Sequence, residues 1–292
     1  MAIPGVLITG SEGLLGGALQ ATFKAYSLLA PLFCSKSVLD ITDPDQIESY
    51  LKAHAIQYII NCAACTDVQL AEQEVASCFK VNSIGAGHLA ALAAKYHVVL
   101  FHISTDYVFG ATIGRPLRPD DPTDPLNQYG RSKRTGEQLV AEQATHFYII
   151  RTAWLYGEKG NNFFTKIAAL AQQGRTIQMV DDQIGSPTYV YDLATAIWEI
   201  IEKMAKHNPE HYPSGIYHYT NEGVASWYDF AYAIVTTFSN RCSLMPLSSS
   251  VVDLKRPYYS VLSKSSFREV FQIKIPHWQH SLAICLKRWQ AQ

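Results

Sequence analysis

No stretch of this 292-residue chain approaches the roughly 18 consecutive apolar residues that a membrane-spanning helix needs. Its opening, "MAIPGVLITG", lacks a positively charged start and reaches glycine too early for a secretory leader. A cytoplasmic protein with no membrane partner is therefore expected. An excess of one charge is missing too: 24 Lys and Arg stand against 25 Asp and Glu, which gives no electrostatic footprint for nucleic acid. Cysteines are few and scattered, at Cys34, Cys62, Cys65, Cys78, Cys242 and Cys285. Cys62 and Cys65 form a C-x-x-C, but it follows an apolar run and has neither a second pair nor histidines at zinc spacing. It reads as incidental, and the residues announce no metal site. No repeat and no low-complexity segment is present.

What is present is an alternation. "GVLI" (Gly5 to Ile8), "SLLAPLF" (Ser27 to Phe33), "YIIN" (Tyr58 to Asn61), "VVLFHIS" (Val98 to Ser104) and "FYIIR" (Phe147 to Arg151) are apolar throughout, as strands buried on both faces are. Helical patterns separate them. Asp43, Pro44 and Gln46 announce one helix start, and an alanine-rich helix is predicted over Glu72 to Tyr96. This pattern specifies an α/β fold, a doubly wound parallel sheet of Rossmann type with ligands at the carboxyl ends of its strands. After Arg151 the spacing loosens, with helices predicted near Asn162 to Gln173, Val190 to Lys206, Ser226 to Phe238 and His277 to Gln290. The expected organisation is an NAD(P)-binding domain over 1–151 and a smaller, mainly substrate-binding region over 152–292, some of whose crossovers return to the sheet.

Three constellations carry chemistry. In "LITGSEGLLGGAL", Gly10, Gly13 and Gly16 fall at three-residue steps between the first strand and a helix. A tight turn, close backbone approach to a pyrophosphate and close helix packing each require a missing side chain there. The acid that would meet the ribose hydroxyl of NAD about twenty residues on is absent. "FCSKS" offers Ser35 and Lys36 instead, with Asp40 some residues later, which suits NADPH and leaves NADH as the other candidate. "HISTDYVFG" ends the fourth strand with Ser104, Thr105 and Asp106. About twenty residues on, "PLNQYGRSKRTGE" sets Tyr129 and Lys133 on one helical face. Alone that pair is a solvated surface; beside the same strand edge it becomes informative.

G-x-x-G-x-x-G at Gly10, "NCAACT" at Asn61, "STDYVF" at Ser104 and Y-x-x-x-K at Tyr129 together resemble the extended short-chain dehydrogenases/reductases. Downstream, "RTAWLYG", "NNF", "VDDQIGSPTY", "GIYHYTNEG", "SWYDFA" and "RPYYSVLSK" are similar to the dTDP-4-dehydrorhamnose reductase branch of that family. The likeness runs from about Val6 to Lys287. It implies NADPH-dependent reduction of the C4 ketone of a dTDP-linked sugar, with Tyr129 as general acid, Lys133 as its electrostatic partner and nicotinamide-ribose ligand, and Thr105 orienting the carbonyl. A phenol has an ordinary pKa near 10, and lowering it by about three units takes roughly 4 kcal/mol; an ammonium one turn away is expected to supply much of that.

The resemblance further implies a cofactor site made of Gly10, Glu12, Gly13, Leu14, Leu15, Gly16, Ser35, Lys36, Asp40, Ile41, Ala63 and Ala64, completed by Tyr129 and Lys133. It implies nucleotide-sugar contacts from Thr105, Asp106, Trp154, Asn162 and Arg256. Leu14 stands where the family often has glutamine, and Cys65 where tyrosine or histidine is common. The likeness is compatible with a homodimer and, as in some members, with Mg²⁺ at a subunit contact. A different class of function also fits the resemblance, a dinucleotide-binding regulatory subunit like the β subunit of methionine adenosyltransferase. A third reading is a reductase for a related nucleotide 4-keto-6-deoxy sugar.

Overall fold

The computed structural model describes residues 3–110, 114–207, 211–238, 242–249 and 255–291. The apolar runs become strands β1 (Gly5–Thr9), β2 (Ala30–Cys34), β3 (Ile56–Asn61), β4 (Val99–Thr105) and β5 (Phe147–Thr152). Helices α1 (Leu14–Thr22), α2 (Pro44–Ala53), α3 (Val68–Gln73), α4 (Val75–Phe79), α5 (Ala86–Lys95) and α6 (Gln128–Gln143) lie between them. The chain continues through β6 (Leu155–Tyr156), α7 (Phe163–Gln172), β7 (Ile177–Val180), β8 (Ile184–Gly185), β9 (Thr188–Tyr189) and α8 (Val190–Lys206). It ends with β10 (Gly215–His218), β11 (Ala225–Ser226), α9 (Trp227–Val235), β12 (Leu244–Leu247), α10 (Ser265–Phe271) and α11 (Trp278–Gln290).

One sheet organises the molecule, in the order β10-β5-β4-β3-β1-β2 with every pair parallel. Successive side chains of a strand point to opposite faces, and both faces are covered. Val6 and Ile8 of β1 join a core built with α1, α8 and α10, whereas Leu7 joins another built with α2 and α5. That is why these strands show no polar alternation. The direction of winding reverses between β1 and β3, which opens a crevice at their carboxyl ends.

The later elements return to this sheet. β10 pairs with β5, and α8 packs across α1 with the wholly buried Trp198 donating from Nε1 to Leu19 O at 3.1 Å. A further core joins α7, α9 and α11. The predicted caps form: Asp43 accepts from Asp45 N and Gln46 N, and Ser226 and Asp229 make a reciprocal capping box.

Two elements differ from the reading of the sequence. The second strand begins at Ala30 and not at Ser27, because residues 26–29 close a turn and the first ladder bond runs from Ala30 N to Pro4 O. The predicted helix over Glu72 to Tyr96 is broken into α3, α4, a π-turn at Lys80–Gly85 and α5. Glu74, at φ −112° and ψ 53°, interrupts it first. The wide turn then frees Asn82 to accept from Cys65 N at 2.8 Å and donate to Cys65 O at 2.9 Å and Ser132 Oγ at 2.9 Å. Ser83 adds a bond to Ser132 O. α6 comes so close here that a methyl on Gly136 would collide with the Asn82 carbonyl.

Candidate active site

The glycine turn shapes the first half of the crevice. Gly10 has φ +65°, and a Cβ there would lie 2.6 Å from Ala63 N, so backbone of the β1 and β3 ends meets without side chains between. A Cβ on Gly16 would lie 2.5 Å from Gly10 O, which fixes how tightly α1 seats on the turn. Gly13 caps α1 with no side-chain acceptor, leaving N–H groups free for an anion. A groove of about 320 Å³ runs from this turn along Glu12, Ser35, Lys36, Asp40 and Ile41 to Ala63 and Ala64. Asp40 accepts from Thr42 N and Thr42 Oγ1, both at 2.9 Å, and these bonds hold its carboxyl below the ordinary range. Lys36 and Lys80 both act on that carboxylate electrostatically, so two cations stand near this end of the groove.

A second cavity of about 430 Å³ adjoins the first and shares Gly13, Cys62 and Ala64 with it. Its walls carry Thr105, Asp106, Tyr129, Lys133, Trp154 and Asn162, together with Leu14 and Leu15. Thr105 is placed by the end of β4: its Oγ1 accepts from Tyr107 N at 3.2 Å and donates to Asp106 Oδ1 at 3.1 Å. Tyr129 and Lys133 come from the first turns of α6, which Asn127 caps by accepting from Gly130 N at 2.8 Å. Beneath them, Glu137 is wholly buried and clamped by Arg151 Nε and Nη2, each at 2.8 Å, with Ser104 Oγ at 2.6 Å. This network pins α6 to β4 and β5.

The electrostatics correct one expectation. Lys133 does not lower the Tyr129 phenol in this geometry: burial raises it, with a Thr105 hydrogen bond as the opposing influence. The amine is directed elsewhere, donating to Ile103 O at 2.6 Å and lying 3.3 Å from His102 Nε2. Burial pulls Lys133 itself down to about 8, with Glu137 opposing. Burial likewise pushes Asp106 up to about 6, although Ser260 and Thr105 favour its ionised form. Its Oδ2 is buried and has no hydrogen bond of normal geometry among the described residues.

Of the residues singled out in the sequence, two line neither cavity: Gly16, which packs against the Gly10 carbonyl under the turn, and Arg256. The charge of Arg256 acts on the Tyr107 phenol, lowering it against a larger rise from burial, and its Nε is buried without a partner among the described residues. Sequence reasoning missed Thr66, Val68, Tyr107, Asn161, Phe163 and Trp227 in the second cavity. Trp227 stacks on Trp154 with ring centroids 3.6 Å apart and planes 9° from parallel, and Phe163 closes on it at 4.5 Å. The segments "NNF" and "SWYDFA" carried the signal for three of these, Asn161, Phe163 and Trp227. Cys62 and Cys65 are free thiols in the described structure, and both line the groove. Among the described residues no three His, Cys, Asp or Glu side chains gather as metal ligands, and no helix is long and apolar enough to cross a membrane.

A doubly wound parallel sheet with a glycine turn at its switch point defines a Rossmann-type α/β protein. The chain belongs to the family described as "RmlD substrate binding domain", which matches residues 4–291. It is 36% identical over 285 residues to a dTDP-4-dehydrorhamnose reductase of Aggregatibacter actinomycetemcomitans, covering 95% of this chain and 96% of that one. It is 37% identical over 284 residues to a dTDP-4-keto-6-deoxy-D-glucose reductase of Streptomyces niveus, covering 94% of each. Among solved structures, the dTDP-4-dehydrorhamnose reductase of Bacillus anthracis in complex with NADP superposes with a TM-score of 0.88 at 34% identity, covering 98% of this chain and 100% of that one.

Proposed function

We propose that this protein is an NADPH-dependent oxidoreductase that reduces the C4 ketone of dTDP-4-dehydro-L-rhamnose to give dTDP-L-rhamnose. The carrying observation is the placement of Thr105, Tyr129 and Lys133 in a cavity that shares walls with the glycine-turn groove. The residues fit a dinucleotide: Gly10 and Gly13 line the groove without side chains, and α1 opens beside it with no side-chain cap on its first N–H groups. Lys36 and Lys80 suit a 2′-phosphate, which favours NADPH over NADH. A reduced nicotinamide, when bound, supplies the hydride.

The chain's own groups supply the rest. Burial keeps the Tyr129 phenol protonated, so it is available as the acid that meets oxygen charge developing on the ketone. Thr105 presents a hydroxyl to the same oxygen, and Lys133 offers an N–H to the nicotinamide ribose. Trp154, with Trp227 behind it, walls the sugar side, and Asp106 and Asn162 offer polar contacts. Arg256, whose Nε has no partner among the described residues, is suited to a diphosphate. The non-catalytic regulatory reading is not favoured, because relatives matched along nearly the whole chain carry reductase names. The relative acting on a 4-keto-6-deoxy-D-glucose keeps a second sugar in view.

The test is NADPH oxidation by purified protein, with product identification, across several dTDP-linked and other nucleotide-linked 4-ketoses. NADH is supplied in parallel, and Mg²⁺ is added or chelated. Turnover is expected to be fastest with dTDP-4-dehydro-L-rhamnose and NADPH. Absence of turnover with every ketose at high protein concentration overturns the reading.

A further inference from the structure

The sequence offers one pair of cysteines and the structure makes another. Cys62 and Cys65 are spaced as a C-x-x-C, yet the influences on the Cys62 thiol are burial and Lys133, with no second thiol among them. Cys65 turns instead to Cys78 on α4, and the two thiols hydrogen-bond. Asn82 holds this pair together. From the π-turn it accepts from Cys65 N at 2.8 Å and donates to Cys65 O at 2.9 Å, and the same Nδ2 lies 3.3 Å from Cys78 Sγ. One buried amide thus fixes the backbone that carries one sulfur and touches the other sulfur directly. The two thiols differ in access: Cys78 is wholly buried, whereas Cys65 is partly exposed and lines the groove with Ala63 and Ala64.

We propose that Cys65 and Cys78 form a disulfide when no dinucleotide covers the groove, and that this bond weakens dinucleotide binding. The co-reactant is a low-molecular-weight disulfide entering by the groove. The Cys65 thiolate attacks one of its sulfurs, and the first small thiol leaves. The Cys78 sulfur then attacks Cys65 Sγ in the mixed disulfide and expels the second small thiol, which takes the Cys78 proton. Two cysteines are oxidised by two electrons in all, one S–S bond is reduced, and both protons end on the released thiols.

Burial and the Cys78 contact push the Cys65 thiol up to about 11. Its thiolate is scarce near neutral pH, so the first step is slow, on the order of hours. The same feature opposes reopening, because Cys65 is a poor leaving group when a small thiol attacks its partner. The pair is a slow and persistent lock. Closing it disturbs both sides: Cys78 Sγ must leave the Ser132 hydroxyl at 3.3 Å, and Ser132 also donates to Tyr129 O at 2.8 Å. Cys65 must draw its loop towards α4, and Ala63 and Ala64 of the groove wall precede it directly. The effect on dinucleotide binding rests on the cofactor reading given above; the bond itself does not.

The test uses the reduced full-length protein, incubated with 2-hydroxyethyl disulfide at about pH 8 with and without NADPH, then alkylated under denaturing conditions and mapped by mass spectrometry without reduction. Cleavage after Glu72 and Glu74 separates Cys78 from the stretch that holds Cys62 and Cys65. A link between Cys65 and Cys78 is expected, kept in Cys62→Ala and absent from Cys65→Ser and Cys78→Ala. A link involving Cys62, or Cys65 carrying only the small thiol while Cys78 stays open to alkylation, overturns the proposal. Saturating NADPH should slow the linkage by a factor on the order of 10 or more, because it covers Cys65. Titration of cofactor fluorescence should show the linked protein binding NADPH about fivefold or more weakly, with the parent affinity restored by dithiothreitol. Equal affinity in the linked and reduced forms overturns the claim that the bond acts on the groove. If neither form binds NADPH, the cofactor reading falls while the peptide map still decides the bond. If Cys78→Ala does not fold, the parent and Cys65→Ser maps decide.

Discussion

In the proposed reaction, Tyr129 is the residue on which the chemistry turns. Tyr129→Phe keeps the ring and its edge contact with Tyr107 but removes the acid. Turnover should fall by a factor on the order of 100 or more with NADPH affinity nearly unchanged, as read by steady-state rates and by titration of cofactor fluorescence. Activity within a few fold of the parent would falsify the assignment. Asp106 makes a thermodynamic prediction. Its folded pKa, about 6, lies above its ordinary value of 3.8, so the ionised form is penalised in the folded state. The penalty is fully present above pH 6, at about 3 kcal/mol, and fades as pH falls towards 3.8. Asp106→Asn should therefore gain stability over the parent on going from pH 5 to pH 8, by about 1 kcal/mol. Denaturant melts at the two pH values check it, and a gain in the opposite direction contradicts the buried-carboxylate account.

At the level of elements, α6 matters through what holds it down. Glu137→Ala strips the wholly buried Arg151 guanidinium of its carboxylate partner and should destabilise the fold by about 3–5 kcal/mol in urea melts. A loss under 1 kcal/mol would mean that Pro119 O and the Phe109 ring already satisfy that cation. The strands, the glycine turn and the Tyr129–Lys133 pair were legible in the sequence because each rests on local spacing. The break at Lys80–Gly85 was not: "FKVNSIGAGHLA" reads as helix, and only the partner strip on α6, with Ser132 and Gly136, explains why Asn82 is drawn out of register. The stacking of Trp227 on Trp154 was equally hidden, since it joins positions 73 residues apart by subtraction of their numbers, and no window of sequence contains both. His102 looked like one more residue of an apolar strand.

Across the whole molecule, the expected boundary near residue 151 does not separate two folding units. β5 has β10 as its outer neighbour and α1 has α8 as its cover, and both come from beyond that point. Residues 1–151 expressed alone should therefore lose fixed tertiary packing, with weak near-UV circular dichroism and dye binding to the uncovered α1 face. A sharp cooperative melt of that fragment would refute this. The stacked indoles of Trp154 and Trp227 have an optical consequence as well. Two aromatic chromophores 3.6 Å apart are electronically coupled, and the coupled pair sits in the wall of the cavity, one member from each side of a long excursion of the chain. The protein thus contains an exciton reporter of its own, and a sugar nucleotide that parts or tilts the two rings should announce its arrival as a change in the paired ellipticity bands, without any label attached.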